Sequence, residues 1–199
     1  MVRVKRSGVT PSRMNLGFSG RQIWGAASGV GSNATQLCHH AGLRVVATCL
    51  PANFDYIRHL GADTVFNYRG KSVVEDVLAE LDKTTCVGIF SAAGDTKAAI
   101  EIAHHSKQDL FIAASTLVPQ DLPDGVRAKF IMGGGLDIIH RETMPKVVDG
   151  FLVEALERGI YKVAPPPQVL QNRGVKAIQE GIDIVRKGVS AKKIVVVNR

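Results

Sequence analysis

The sequence predicts an α/β protein built on a parallel sheet with helices covering both of its faces. From residue 21 onward, short apolar runs rich in Val and Ile alternate with amphipathic stretches of helical period. Aromatic residues make up only 6% of the chain, which disfavours an aromatic-rich β-sandwich. Because parallel strands are joined by helical crossovers, the alternation indicates right-handed βαβ units. A chain of 199 residues can bury one sizeable core.

The first half of the chain contains four predicted strands separated by helices. We expect the strands over residues 21–26, 44–48, 64–67 and 86–90, and the helices over residues 32–41, 54–60, 73–81 and 96–104. Gly42 and Gly61 follow the first two helices, as expected of helix-ending glycines. Before the third helix, Ser72 and Glu75 have the spacing of a capping box, which predicts reciprocal side-chain bonds to the backbone.

The second half continues this alternation less regularly. We expect strands over residues 110–114, 129–132 and 193–197, and helices over residues 144–158 and 175–187. The consecutive prolines from Pro165 to Pro167 predict a rigid extended connector and a change of module near residue 163. We expect residues 1–20 to be a basic, poorly ordered arm.

The net charge of +7 is concentrated near the N-terminus. No acidic residue precedes Asp55, whereas six basic residues do, and the rest of the chain has 19 basic against 18 acidic residues. A nucleic-acid-binding domain normally spreads its basic residues over a folded face, so we expect no nucleic-acid partner. No apolar run is long enough to span a membrane, so we expect no membrane partner either.

The basic arm and the cysteines bear on localisation. The arm lacks the apolar region of a secretory signal, and Gly8, Pro11 and Gly17 interrupt the helix that a mitochondrial transit peptide would need. A transit peptide stays an alternative because the arm is basic and free of acids. Three cysteines cannot all pair within one chain, which favours a reduced, cytoplasmic protein.

The segment from Gln22 to Thr48 carries the chemical signal. A predicted strand runs into the small-residue turn GAASGVG, a helix opens at once, and a second strand follows. Free N–H groups and the dipole at a helix start attract phosphate, and small side chains let a pyrophosphate approach the backbone. The glycine spacing departs from the strict dinucleotide fingerprint, so a structural tight turn is the alternative. The context favours a Rossmann-type dinucleotide-binding sheet.

The end of the second strand predicts the choice of cofactor. NAD sites usually carry a carboxylate there for the ribose 2′-hydroxyl. This chain instead has Thr48, Cys49 and Leu50, with no acid before Asp55. Tyr68 and Arg69 follow the third strand and could accommodate a 2′-phosphate, so we expect NADP rather than NAD. The alternative is that both are ordinary surface residues.

Three segments resemble the cofactor domain of the medium-chain dehydrogenase/reductase superfamily, in its zinc-free quinone- and enoyl-reductase branch. They are WGAASGVGSNATQL (24–37), VVATCLPANFDYIRHLGADTVFNYR (45–69) and EGIDIVRKGVSAKKIVVV (180–197). Fungal trans-enoyl reductases and proteins labelled zinc-binding dehydrogenases are similar over about residues 21–198. The resemblance implies that residues 21–160 form the dinucleotide-binding domain.

The resemblance also implies which residues contact the cofactor. In the family pattern the positions of Ser28, Gly29 and Val30 hold the pyrophosphate. Those of Thr48, Asn53 and Tyr68 line the adenosine 2′-phosphate pocket, and those of Ala92 and Ser115 approach the adenine and nicotinamide ends. Relatives commonly have a serine and a basic residue where this chain has Leu50 and Ala52.

A second departure from the family concerns the substrate domain. Relatives begin with a GroES-like substrate domain, and nothing before residue 21 resembles it. Residues 161–199 resemble the C-terminal segment that, in relatives, returns to complete that domain. The expected fold is therefore a Rossmann-type doubly wound parallel sheet with a C-terminal remnant of the substrate domain.

Other candidate sites are weak. His39-His40 and His104-His105 are adjacent pairs on helices, so each pair projects its rings about 100° apart and does not form a chelate. The cysteines lack the spacing of a structural zinc site, and we expect no metal. Ser115, Asp95 and Asp137 have no base at a recognisable spacing, which leaves a hydrolase triad unsupported.

Two functions are consistent with these features. The first is an NADP(H)-dependent oxidoreductase that transfers a hydride to a small-molecule substrate, an activated alkene or a quinone. The second is a truncated cofactor-binding fragment or pseudoenzyme without turnover, since no catalytic acid or base is evident. We also expect a homodimer through the sheet edge between Lys129 and Met132, because AKFIM has little charge to protect an edge strand.

Overall fold

A computed structural model of the chain describes residues 19–131, 141 and 144–197. Its main sheet contains six strands, β1 (Gly20–Trp24), β2 (Arg44–Cys49), β3 (Thr64–Asn67), β4 (Cys86–Ser91), β5 (Phe111–Ala114) and β6 (Arg127–Phe130). Four helices alternate with them, α1 (Gly29–His40), α2 (Phe54–His59), α3 (Val73–Leu81) and α4 (Lys97–His105). The predicted bounds of β3 and α3 are confirmed at both ends.

The strand order of the main sheet is β3-β2-β1-β4-β5-β6, and every neighbouring pair is parallel. The chain builds outward from β1 to β3, crosses back, and builds outward in the other direction from β4. The order therefore reverses between β1 and β4, which is where ligands bind in doubly wound sheets. The predicted Rossmann-type sheet is confirmed.

Helices cover both faces of this sheet because the strands are apolar on both. In β2, Val45 and Ala47 pack on the side of α1 and α2, together with Ile57. Val46 points to the opposite side, where the buried residues include Leu81 and Ile102 from α3 and α4. A strand buried on both faces reads as a continuous apolar run, which explains the sequence pattern.

Two local predictions about helix starts are wrong. Helix α1 begins at Gly29, three residues before the predicted Ser32, because the Ser28 hydroxyl caps it by accepting the Gly31 N–H at 3.0 Å. Ser72 does not form the predicted capping box. Its hydroxyl donates to the Asp76 carboxylate at 2.9 Å, which leaves no side-chain cap on α3.

The chain after residue 144 differs most from the prediction. The expected long helix is a π-helical segment, Pro145–Leu152, followed by α5 (Val153–Glu157). Strand β7 (Pro167–Arg173), helix α6 (Gly174–Arg186) and strand β8 (Lys193–Val197) follow, and we call these three elements the C-terminal unit. The predicted connector is wrong from Pro167 onward, because proline is tolerated as the first residue of a strand.

The C-terminal unit is a small separate sheet. Strands β7 and β8 pair in parallel, with Val169 opposite Val195. Helix α6 packs on one face of this sheet, where Gly181 lies close to Ile194, Val196 and Leu170. The structure thus shows a βαβ unit beside the main sheet.

Strand β6 is the outer strand of the main sheet and pairs only with β5 among the described strands. Its bounds, Arg127–Phe130, are two residues earlier than predicted. Met132, at the end of the predicted strand, lies outside the described residues. The three cysteines are free thiols. Among the helices described, none is long and apolar enough to cross a bilayer.

Candidate functional site

A cavity of about 610 Å³ opens at the carboxyl ends of β1, β2 and β4, beside the point where the strand order reverses. Its volume is within the usual range for small-molecule sites. The lining combines the ends of β1, β2, β3 and β4 with helix α4 and a distant loop. It consists of Trp24, Gly25, Ala27, Ser28, Cys49, Leu50, Asn53, Tyr68, Ala93, Gly94, Asp95, Lys97, Ala98, Glu101, Val189, Ser190 and Ala191. We call this cavity the cleft.

Glycine is required at one position in the turn between β1 and α1 and at one position in the first turn of α1. Gly25 has a φ of 75°, and a Cβ there would lie 3.0 Å from the Cβ of Ala93. A Cβ on Gly31 would lie 2.4 Å from the Gly25 carbonyl oxygen, because α1 packs directly against the turn. Gly29 is different, since its Cβ would meet only Pro165 Cδ at 3.9 Å. Gly29 therefore leaves open space at the start of α1.

The start of α1 is suited to an anion. The first turn contains no acidic residue, and Ser28, which lines the cleft, caps it. Gly29 and Val30 are exposed. Unpaired N–H groups and the helix dipole make such an end attractive to phosphate. Of the three predicted pyrophosphate-binding residues, Ser28 lines the cleft, while Gly29 and Val30 lie on the exposed first turn.

At the end of β2, Thr48 supports the glycine turn and does not line the cleft. Its side chain is buried, and its hydroxyl accepts the Gly25 N–H at 3.2 Å. Cys49, Leu50 and Asn53 line the cleft instead. Burial raises the pKa of the Cys49 thiol to about 11, although nearby Arg58 opposes the shift, so this thiol stays protonated at neutral pH.

Asn53 and Tyr68, both predicted to contact the cofactor, line this side of the cleft. The Asn53 amide donates to the Ser190 hydroxyl at 2.7 Å, so it bridges the cleft lining to the C-terminal unit. Tyr68 lines the cleft at the end of β3. The Arg69 guanidinium lies 5.7 Å from the centre of the Tyr68 ring, and Arg69 itself is exposed outside the lining.

Ala92 and Ser115 lie behind the lining at the ends of β4 and β5. The Ala92 N–H donates to the Trp24 carbonyl at 2.9 Å, and the Ser115 hydroxyl donates to the Ala92 carbonyl at 2.8 Å. These bonds hold the segment that places Ala93 and Gly94 in the cleft. The structure thus gives both residues a supporting position.

Sequence reasoning missed several lining residues. Trp24, the single tryptophan of the chain, lines the cleft at the end of β1. Asp95, Lys97 and Glu101 bring charge to the side formed by β4 and α4. Their position just after a predicted strand was a usable signal. The 189–191 loop had none, because it reaches the cleft only through tertiary packing.

His39 and His40 on α1 have partners within the protein. The His40 Nε2 atom lies 3.2 Å from the Ile160 carbonyl oxygen, and the His39 and His40 rings contact each other edge to face. Within the described part of the chain, no group of three or more His, Cys, Asp or Glu side chains could hold a metal ion. The residues described do not fit a zinc site.

Comparison with known proteins assigns the family. Residues 29–138, more than half of the chain, match the family described as zinc-binding dehydrogenase. The chain belongs to this family. The match includes α1, the end of β2 and the lining from β4, so it covers most of the cleft. The family description mentions zinc, but the described residues of this member do not support a zinc site.

Curated relatives in fungi support the assignment. This family member is 36% identical to the dehydrogenase azaJ of Aspergillus niger over 182 residues, which is 87% of this chain and 51% of that protein. It is 38% identical to the trans-enoyl reductase himH of Aspergillus japonicus over 180 residues, again 87% of this chain and 51% of the relative. The chain spans about half the length of these relatives.

Solved structures share its fold. CurA from Vibrio vulnificus, solved in complex with NADPH, superposes with a TM-score of 0.59 at 16% sequence identity. The superposition covers 92% of this chain and 58% of CurA. The predicted resemblance to the cofactor domain of the medium-chain dehydrogenase/reductase superfamily is confirmed.

Proposed function

We propose that the cleft binds NADP(H) and that the chain is an oxidoreductase that transfers a hydride to an activated alkene or a quinone. The observation that carries this proposal is the glycine turn, which leads into the open start of α1 beside the reversal of strand order. Backbone N–H groups and an uncovered helix end in that position suit a pyrophosphate. The name of the relative himH, a trans-enoyl reductase, supports the reaction class.

The chain's own atoms would hold the pyrophosphate at the centre of the dinucleotide. The first-turn N–H groups of α1 and the Ser28 cap would bind pyrophosphate, while Gly25 and Gly31 keep the backbone accessible. Thr48 would act indirectly by holding the Gly25 turn.

The preference for NADP is argued from the end of β2. Cys49 and Leu50 present no carboxylate to a ribose 2′-hydroxyl, and the thiol of Cys49 is uncharged. Asn53 and Tyr68 bring polar groups to this side of the cleft lining. The NADPH complex of CurA, a protein of the same fold, supports the proposal.

The bound nicotinamide would supply the hydride, which an electron-poor alkene or quinone carbon accepts. The chain's contribution is to orient that ring and to exclude water. Ala92 and Ser115 brace the side of the cleft formed by β4 and α4. Lys97, Asp95 and Glu101 are the charged groups there.

Intrinsic fluorescence tests cofactor binding directly, because the single tryptophan, Trp24, lines the cleft. We expect NADPH to quench the Trp24 fluorescence and to bind about tenfold more tightly than NADH, a difference of about 1.4 kcal/mol. Gly29→Val should abolish both responses, since its side chain would fill the open space at the start of α1. Its melting temperature should stay near wild type. Equal affinities would contradict the NADP preference, and normal binding by Gly29→Val would place the site elsewhere.

A cofactor-binding chain without turnover is the second candidate. The two candidates separate in one assay of NADPH oxidation with a panel of enones and quinones. Turnover supports the oxidoreductase. NADPH binding without turnover on any substrate supports the second candidate.

We further propose that two copies pair through β6. The Ile131 N–H donates inward to the Ala114 carbonyl at 2.8 Å. Because N–H groups alternate in direction along a strand, those of Ala128 and Phe130 face the free edge. Arg127 and Lys129 are exposed, with Arg127 paired to Asp109.

Sedimentation of two proline variants tests this dimer. Ala128→Pro removes an outward N–H and should convert a dimer to a folded monomer. Ile131→Pro instead removes the inward bond to Ala114 and should lower stability. A wild-type monomer at micromolar concentration, or a dimer indifferent to Ala128→Pro, would exclude the interface.

A further inference from the structure

A row of polar side chains on α1 binds an irregular segment just before the C-terminal unit. Asn33, Gln36 and His40 are three and four residues apart, so they lie along one face of α1. Residues 160–164 run opposite them, and we call this segment the strap. These three side chains belong to neither the glycine turn nor the lining of the cleft.

The strap is bonded to α1 through its backbone. The Gln36 amide donates to the Lys162 carbonyl at 3.0 Å, and its Oε1 accepts the Lys162 N–H at 2.8 Å. One turn along the helix, the His40 Nε2 atom lies 3.2 Å from the Ile160 carbonyl. Gln36 is buried, so the loss of this reciprocal pair would leave backbone groups without partners.

Asn33 connects the strap to the first turn of α1. Its Nδ2 donates both to the Ala164 carbonyl at 3.0 Å and to the Gly29 carbonyl at 2.7 Å. Its Oδ1 accepts the Tyr161 hydroxyl at 2.7 Å. The next residue of the chain, Pro165, comes within 3.9 Å of where a Cβ of Gly29 would lie. The strap is thus held directly beside the end of α1 at which we propose that the pyrophosphate binds.

The strap leads into the C-terminal unit, which forms one wall of the cleft. Val189, Ser190 and Ala191 line the cleft from the loop between α6 and β8. The Asn53 amide bonds Ser190 itself. The Lys193 N–H at the start of β8 donates to the carbonyl of Pro166, two residues after the strap, at 3.1 Å. The wall is therefore held at two places, directly by Asn53 and, through Pro166, by the strap on α1.

We propose that Asn33, Gln36 and His40 are positioning residues for the cofactor, because they dock the strap and thereby hold the 189–191 wall against the cleft. Dinucleotide binding and strap docking then stabilise each other, since coupling between two equilibria is reciprocal. This inference rests on the proposed NADP(H) site. It adds a set of residues outside the cleft on which cofactor affinity depends.

Trypsin reports strap docking in the full-length chain. The Lys162 side chain is exposed, while its backbone is bonded to Gln36, so cleavage after Lys162 requires the strap to leave α1. We expect saturating NADPH to slow this cleavage about fivefold or more. Cleavage after Lys107, between α4 and β5 at the opposite end of the sheet, should not change and serves as the internal control.

The matched variants are Gln36→Ala and Gln179→Ala. Gln179 lies on α6, where its amide bonds Asp183 on the exposed surface. Gln36→Ala should weaken NADPH quenching of Trp24 about tenfold and speed cleavage after Lys162. Gln179→Ala should leave both unchanged. Circular dichroism of each variant shows whether the main sheet stays folded.

The outcomes separate the two proposals. Quenching by NADPH with equal cleavage rates at Lys162, with and without NADPH, would overturn the coupling and leave the proposed function standing. Wild-type affinity in a Gln36→Ala protein with accelerated cleavage would overturn it as well. No quenching of wild type by NADPH would overturn the proposed function and the coupling with it.

Discussion

The main sheet and the C-terminal unit are both built from parallel strands and helices, but they bury their apolar residues differently. In β2 every residue after Arg44 is buried, whereas in β7 only Leu170 is. Two-stranded sheets are marginally stable alone, while a six-stranded sheet covered on both faces has its own core. The parallel strands and helices of the main sheet therefore have a core of their own, whereas those of the C-terminal unit depend on contacts with the rest of the chain.

Helix α6 shows the same difference within one element. Ala177 and Gly181 are buried against the sheet of the C-terminal unit. On the adjoining flank, Val175 is 82% exposed and Ile182 is 47% exposed. Only part of the apolar face of α6 is thus buried. Apolar patches of this kind are binding surfaces or aggregation liabilities.

The largest expected contrast comes from truncating an isoleucine in each region. Ile102 on α4 is fully buried, so Ile102→Ala should reduce the free energy of unfolding by about 4 kcal/mol. Ile182→Ala on α6 removes a half-exposed side chain and should cost about 1 kcal/mol or less. Urea denaturation measures both. Equal costs would show that the two regions are buried alike in solution.

Alanine substitution of one glycine in each region should change stability in opposite directions. Gly31→Ala places a methyl group 2.4 Å from the Gly25 carbonyl oxygen and should destabilise the chain by about 3 kcal/mol. Gly181→Ala meets only ordinary contacts at 3.5 Å or more inside α6, and should stabilise the C-terminal unit by about 0.5–1 kcal/mol. Thermal unfolding gives both signs. A destabilising Gly181→Ala would mean that α6 packs more tightly than its contacts indicate.

Charged groups give a smaller and pH-dependent contrast. Glu80 on α3 is buried, accepts from Thr64 Oγ1 at 3.1 Å, and pairs with Arg44 and Lys83. The hydrogen bond from Lys83, assisted by Thr64 and Arg44, lowers the Glu80 pKa against the opposing effect of burial. The paired carboxylate thus stabilises the fold fully above the unfolded pKa near 4.5, and this stability is lost as pH falls through the lower folded value.

Glu80→Gln should cost about 2 kcal/mol at neutral pH and flatten the acid limb of the stability curve. The control is Asp183→Asn on α6, whose partner Arg186 is exposed, and it should cost under about 0.5 kcal/mol. Urea midpoints between pH 3 and pH 7 provide the measurement. If Glu80→Gln lost stability at low pH as wild type does, other carboxylates would be responsible for that loss.

The sequence predicted most of the main sheet because its signals are local. Strand β3 and helix α3 match their predicted bounds, and the continuous apolar runs of β2 indicated a strand buried on both faces. The Ser72 capping box failed because Asp76, one turn away, competes for the same hydroxyl. Strand β7 was missed because its residues are mostly exposed and lack an apolar alternation.

The candidate site likewise combines features that adjacent residues predict with features that depend on distant contacts. The glycine turn, Ser28 and the absence of acid at the end of β2 follow from adjacent residues. Thr48 was expected in a phosphate pocket, yet its hydroxyl bonds the Gly25 N–H, a partner 23 residues away. Ser190 lines the cleft and bonds Asn53, 137 residues earlier in the chain, which adjacent residues do not encode.

By itself the sequence determined the alternation of strands and helices, the small-residue turn before α1 and the uncharged end of β2. These depend on side-chain size, periodicity and capping within a few residues. Only the tertiary structure decided that Gln36 binds a backbone segment 126 residues away and that Ser190 reaches Asn53. Such contacts depend on which surfaces meet after collapse, and a polar side chain has the same local pattern whether its partner is water or a distant carbonyl.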